Sequence, residues 1–301
     1  MHRVKSVAWS AVAAMALHVS GTAMADNHVL AIPPTGNAAL SIAHAAIQNA
    51  PAQAGAMTIE FWIRCDSIAA VHGNALAKRG CSNSGYTIQV RPDGSMRSEL
   101  GGLSDFDAAF PLGQWAHFAT VWSRASNTVS IYVNGMLART EVAFGPNLEQ
   151  LETELRFGEY CGRSMAGALD NVRIWSVART AAEIGADMGR QYTPAQASAT
   201  TGLVGAWSFE SGSGLSDDAG RNPIGVLQGS AAILADSTVP VGADCAGDVD
   251  DSGAVNGVDL AVVLTNWGIP SPKYPGADVN DDGVVDGTDL GTVLAGWGAC
   301  P

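Results

Sequence analysis

From Asp248 to Asp259 the chain reads DVDDSGAVNGVD, and thirty residues later, from Asp278 to Asp289, it reads DVNDDGVVDGTD. Each run sets side-chain oxygens at positions 1, 3, 5, 9 and 12, with Gly at position 6. That is the ligand spacing of a twelve-residue calcium loop. The first set of ligands is Asp248, Asp250, Ser252, Asn256 and Asp259 with the backbone carbonyl of Ala254. The second is Asp278, Asn280, Asp282, Asp286 and Asp289 with the carbonyl of Val284. Gly253 and Gly283 permit the sharp turn that the loop needs. Position 12 is Asp in both copies, where the standard loop has Glu. Apolar segments follow in phase, LAVVLTNWG after the first run and LGTVLAGWG after the second. Leu260, Val263, Leu264 and Trp267 fall at i, i+3, i+4 and i+7, as do Leu290, Val293, Leu294 and Trp297, so each set predicts one apolar helix face. Two loop–helix units and two Ca²⁺ ions are expected.

Charge agrees with this reading. Residues 243–301 hold ten Asp and one Lys, a net of −9 within a chain whose formal charge is −13. Divalent cations would neutralise that local excess. No clustered basic surface is present, so nucleic acid is not an expected partner.

The chain begins with a basic stretch (His2, Arg3, Lys5). An uncharged apolar run, Val7–Val19, and the small-residue sequence Ala23-Met24-Ala25 follow. Residues 1–25 therefore read as a secretory signal peptide, and the mature chain is expected to be exported, to the extracellular space or the cell surface. Val7–Val19 is shorter than the roughly 20 apolar residues of a membrane span, and no other stretch qualifies.

An exported chain with five cysteines invites disulfides. Cys245 and Cys300 bracket the duplicated unit and are expected to pair, worth about 4 kcal/mol in the chain-entropy model. Cys81 and Cys161 each follow a strand-like segment in a Gly-rich loop (RGCSNSG and EYCGRSMAG) and are expected to pair. Cys65 is then a buried free thiol.

Residues 26–235 alternate short apolar runs with turn signals. Strands are predicted at Met57–Cys65, Tyr86–Val90, Trp115–Ser123, Thr128–Val133, Met136–Thr140, Leu155–Gly158, Ala168–Trp175, Val204–Glu210 and Ile224–Leu227. Asn134-Gly135 predicts a tight hairpin turn. A helix near Thr180–Met188 opens on a T-x-x-E capping box. Many short strands with close turns predict a mainly β fold, an antiparallel sandwich. The phrases TIEFWIR, GQWAHFATVW, VSIYVNGMLA, GALDNVRIWSVARTAAEI and LVGAWSFESGSGLSDDAGRN resemble the laminin-G-like group of concanavalin A-like jelly rolls, over residues 27–235. That resemblance implies a two-sheet jelly roll that binds glycans or proteins, in some members with calcium at a sheet rim. Asp170, Asp217 and Asp218 are the rim-like positions here, and each fits a local hydrogen-bonding role equally well.

Residues 236–243 have the small, polar and Pro-containing composition of a linker. The C-terminal residues 244–301 resemble a type I dockerin: two calcium loops, each followed by a single helix. The resemblance implies docking to a cohesin-like or cell-surface partner, within a polysaccharide-degrading system. Family members recognise partners through loop positions 10 and 11 and basic or polar helix residues. Here those positions are Gly257-Val258 and Gly287-Thr288, and the helices carry no Lys or Arg, so the docking surface is expected to be apolar or small.

Related jelly rolls include glycoside hydrolases, which need two carboxylates about 5–9 Å apart. No such pair is evident. Glu60 stands alone in its strand, and Glu149, Glu152 and Glu154 lie in a polar connection. HExxH, G-x-S-x-G and P-loop motifs are absent. The expected function is non-catalytic binding of a carbohydrate or a surface protein. The alternatives are a hydrolase or lyase of the same fold, and a purely structural calcium-stapled domain.

Overall fold

The computed structural model describes residues 27–34, 37–67, 72–81, 85–100, 106–143, 148–210, 214–236, 238–241, 247–249, 254–269, 277–280 and 283–299. In chain order the sandwich strands are β1 (His28–Ile32), β2 (Ala39–Ile42), β3 (Ala56–Ser67), β4 (Gly73–Arg79), β5 (Gly85–Val90), β6 (Ser95–Glu99), β7 (Phe106–Ala109), β8 (Trp115–Ser123), β9 (Thr128–Val133), β10 (Met136–Val142), β11 (Leu155–Gly158), β12 (Ala166–Trp175), β13 (Leu203–Trp207), β14 (Val226–Gln228) and β15 (Ala232–Ala235). The helices among them are α1 (Ala50–Ala54), α2 (Ala181–Asp187) and α3 (Pro194–Ala199).

Two antiparallel sheets result. The first runs β10-β9-β8-β3-β12-β1-β15, with β13 beside the second half of β12; the second runs β14-β2-β11-β4-β5-β6-β7. Side chains alternate along each strand, so every strand sends half its residues inward. Leu40, Phe61, Phe118, Trp122, Phe157 and Trp207 meet between the sheets and are wholly buried. Phe157 and Trp207 pack edge to face at 5.0 Å. Each such side chain contributes about 1.5–3 kcal/mol by leaving water.

Local signals match the folded chain where they are strong. Asn134 and Gly135 both take positive φ, +50° and +73°, and join β9 to β10, as a hairpin of this type demands. Thr180 and Glu183 cap α2 reciprocally. β1, β2, β4, β6, β7 and β15 add to the predicted strands, and Thr193 with Gln196 caps α3 in the same way.

The segment after β15 is seated on the first sheet. Val239 and Val241 are buried with Val29, Trp62 and Ala168, Trp115 Nε1 donates to Thr238 Oγ1 at 3.2 Å, and Arg64 pairs with Asp236 at 2.5 Å.

In the C-terminal region β16 (Ala254–Val255) pairs with β17 (Gly298–Ala299), and α4 (Gly257–Thr265) and α5 (Gly287–Ala295) follow the two acidic runs. Val249, Val255, Val263, Ala277, Val285 and Val293 form a small core. Here the predicted apolar helix face divides. Val263 and Val293 are buried, and Leu260 and Leu290 pack partly against the core. Leu264 and Trp267 are 52% and 45% exposed, and their counterparts Leu294 and Trp297 are 54% and 53% exposed. A core this narrow covers one stripe of each helix and leaves the next stripe in solvent.

Candidate functional site: a polar recess on the second sheet

β5 sends Tyr86, Ile88 and Val90 into the core, which leaves Thr87 and Gln89 on the outward face. β6 leaves Arg97 and Glu99 there by the same alternation. Register sets Gln89 opposite both Arg97 and Asn74, and Thr87 opposite Glu99 and Ala77. The turn that follows β11 then crosses the start of β4. It can do so because residue 73 is glycine: a Cβ there would lie 2.6 Å from the carbonyl oxygen of Ser164. Tyr160 and Arg163 bridge each other across this turn, and Asn74 bridges Ser164. Cys161 sits at the turn's tip with φ +54° and is joined by a disulfide to Cys81, just beyond β4.

Between this turn and the sheet lies a recess of about 390 Å³, lined by Asn74, Arg79, Gln89, Tyr160, Arg163 and the Cys81–Cys161 disulfide. Its floor is held by a fixed hydrogen-bond network. Asn74 Nδ2 donates to the carbonyls of Tyr160 (2.8 Å) and Arg163 (3.3 Å). Asn74 Oδ1 accepts from Gln89 Nε2 at 2.8 Å. Gln89 is 1% exposed, and among the described residues its Oε1 has no donor. A buried acceptor left so is costly unless something supplies the missing hydrogen bond. The Tyr160 hydroxyl donates to the Arg79 carbonyl, and the Arg156 guanidinium lies 5.7 Å over the Tyr160 ring. Burial holds the Tyr160 hydroxyl above its ordinary pKa. Arg79 and Arg97 both reach Glu99. His72, just ahead of β4, is held below the usual histidine pKa, first by burial and then by Arg97, Arg91 and Arg163, against Glu99. It is neutral at pH 7.

The residues singled out from sequence fall elsewhere. Glu60 is wholly buried on β3, where Arg179 Nη1 (2.5 Å) and Trp175 Nε1 (2.9 Å) donate to it, so it is a packing carboxylate. Glu154 is tied to Ser41 and Arg156, and Glu149 and Glu152 lie in the connection ahead of β11. Asp170 is buried beneath Asn27, whose Nδ2 donates at 2.9 Å, and accepts from the Asn171 amide; burial pushes its carboxyl well above the usual range. Asp217 accepts the backbone amides of Ala206, Ala219, Arg221 and Asn222, and Asp218 that of Ser208. These three aspartates brace turns and strand starts.

In the duplicated unit, Asp259 and Asp289 are wholly buried at the third position of α4 and α5, each accepting the amide of its capping residue, Asn256 or Asp286. Asp289 also accepts the amides of Val279 and Asn280, and Asp278 that of Gly283. Ala254 and Val284 sit where a position-7 carbonyl is needed. The described donors are all oxygen, the chemistry that suits a hard cation such as Ca²⁺. Asp250, Ser252, Asp282, Cys245 and Cys300 lie outside the described residues. Cys65 is a buried free thiol, pushed by burial up to about 11.

The recess residues were not singled out from sequence. The usable signal was the Cys81–Cys161 pair, which brings the end of β4 against the turn at 160–163.

No curated protein matches the sequence. A crystal structure from Bacteroides ovatus ATCC 8483, reported as a "putative carbohydrate binding protein", is similar at 18% identity and a TM-score of 0.56, over 71% of this chain and 61% of that one. The chain thus spans about three fifths of that protein's length. A heptameric SAP-like pentraxin from Limulus polyphemus matches at 14% identity and a TM-score of 0.49, over 71% of this chain and 97% of its own. Residues 15–185 match the Laminin_G_3 family model, and the two-sheet architecture agrees: the chain belongs to this family of the concanavalin A-like lectin/glucanases superfamily.

Proposed function

We propose that this chain is an exported binding protein whose sandwich holds a glycan in the recess over β4 and β5. Its C-terminal unit, folded around two Ca²⁺ ions, would dock it to a cohesin-like or cell-surface partner. The observation that carries the first part is the lining. Amide, guanidinium and phenol groups converge on one concavity, and a buried amide oxygen, Gln89 Oε1, awaits a donor. Sugar hydroxyls are donors of that kind, and pockets bind small ligands through a few well-placed polar groups. The Bacteroides ovatus structure supports the reading by its fold and its reported description. The docking part is supported by the paired oxygen-rich loops and by the duplicated exposed residues Leu264 and Trp267, Leu294 and Trp297.

A polysaccharide array probed with the calcium-loaded chain tests the first part. Binding should appear on at least one glycan and vanish in Gln89→Leu, with circular dichroism showing that the variant remains folded. Silence across the array, or binding untouched by that substitution, would sink it. For the second part, chelation should unfold residues 244–301 and spare the sandwich, because clustered carboxylates repel one another without a cation. Calorimetry showing one transition, unchanged by chelator, contradicts this.

A further inference from the structure

Two unmet demands meet at the recess. Gln89 Oε1 is a buried acceptor with no donor among the described residues. Its orientation follows from its neighbours. Asn74 Nδ2 is committed to two backbone carbonyls, so Asn74 Oδ1 must face Gln89, and Gln89 must answer with its NH₂. The second demand is that of Arg163. Its guanidinium is exposed, and among the described residues no side chain holds it. Its backbone is fixed: the Arg163 carbonyl accepts from Asn74 N at 3.3 Å and from Asn74 Nδ2, and the turn is tied to the end of β4 through Cys161. Arg163 is therefore a cation carried on a preformed rim, and little backbone ordering is lost when it meets a ligand.

A neutral sugar satisfies only the amide oxygen. A sugar that offers a hydroxyl and, beside it, an anionic oxygen satisfies both. Among the described residues no carboxylate lines the recess. The cations around it outweigh Glu99 in their effect on His72. The chain as a whole carries −13, so attraction for an anion here is local to this site rather than a general property of the surface.

We infer that the recess selects an anionic saccharide, one bearing a uronate carboxylate or a sulfate ester, with Gln89 accepting from a ring hydroxyl and Arg163 pairing with the anion. This rests on the reading of the recess as a glycan site. A guanidinium matches both anions, since its paired N–H groups bond two oxygens at once.

The test is calorimetric titration of the calcium-loaded full chain with matched pairs of tetrasaccharides: oligouronates against their methyl esters, and sulfated against desulfated forms. The anionic member of at least one pair should bind about tenfold more tightly. Arg163→Gln should erase that advantage, bringing the charged and neutral members of the pair to equal affinity, and Arg163→Lys should restore part of it. The exposed position keeps folding out of the result. Equal binding of charged and neutral members, both lost in Gln89→Leu, overturns the anionic selectivity and leaves the glycan site standing. Failure of every member to bind overturns both.

Discussion

On the outward face of the first sheet, Glu60 lies under α2, bonded by Arg179 and Trp175, while Arg179 and Arg173 also reach Asp187 and its carbonyl. On the outward face of the second sheet, Asn74, Gln89, Arg79 and Arg163 surround an open recess. Both faces hold charged and polar groups gathered against the outside of a sheet. The difference is the cover. α2 and α3 close over the first face, so the bonding capacity left there, at Glu60 Oε2 and at Arg173 Nε and Nη1, lies in residues wholly buried beneath the cover. A single turn, stapled by a disulfide, edges the second and leaves Gln89 Oε1 unanswered. A polar cluster becomes a candidate site when the fold leaves part of its bonding capacity unspent in a residue that lines an open concavity.

Substitutions on the two faces should therefore behave differently. Glu60→Ala takes the buried acceptor from Arg179 Nη1 and Trp175 Nε1 and the counter-ion from Arg173, and should cost about 3–5 kcal/mol in urea unfolding, with glycan affinity unchanged in the fraction that folds. A loss below about 1 kcal/mol, or a selective loss of affinity, would make the first face the working one. On the second face, Cys81→Ser with Cys161→Ser opens a link that spans 80 residues. It should lower stability by about 2–4 kcal/mol, and it should also weaken binding, because the turn loses its second anchor. Intact binding with lowered stability would show that the disulfide serves the fold alone.

The smallest effect concerns Lys78, buried on β4 beside the recess strands. Its ammonium bonds His44 Nδ1, Gln48 Oε1 and the Thr153 carbonyl, yet burial brings its pKa down to about 8. The unfolded chain holds its lysine proton to about pH 10.4. Between pH 8 and that value the unfolded state binds more protons, so stability should rise with pH, on the order of 1 kcal/mol. Lys78→Met should flatten the rise. A fall over that window in the wild-type chain would show that the charged form is favoured.

The sandwich was readable because alternation in TIEFWIR and WAHFATVW, the Asn-Gly turn and the capping box of α2 are local signals. The recess was not. β4 reads GNALAKR and β6 reads SMRSE, with little of the β-branched or aromatic content that marks strands, so neither was predicted. Asn74, Gln89 and Arg163 meet through register and through a turn passing over Gly73, and neither is written in a single stretch of sequence. Glu60 was legible only as a lone acid on an apolar strand; that it is buried and bonded by Arg179 and Trp175 follows from packing and not from its own stretch of sequence. The helix faces after the acidic loops were half legible, since periodicity finds an apolar stripe but not how much of it a small core can cover.

Hydrogen exchange of the calcium-loaded chain, with and without a saturating anionic tetrasaccharide, tests the central claim most directly. The account predicts slowed exchange confined to residues 73–81, 85–90 and 160–164, with residues 56–67 and 181–199 unchanged. Protection appearing over 56–67 and 181–199, or spread evenly along the chain, would contradict it.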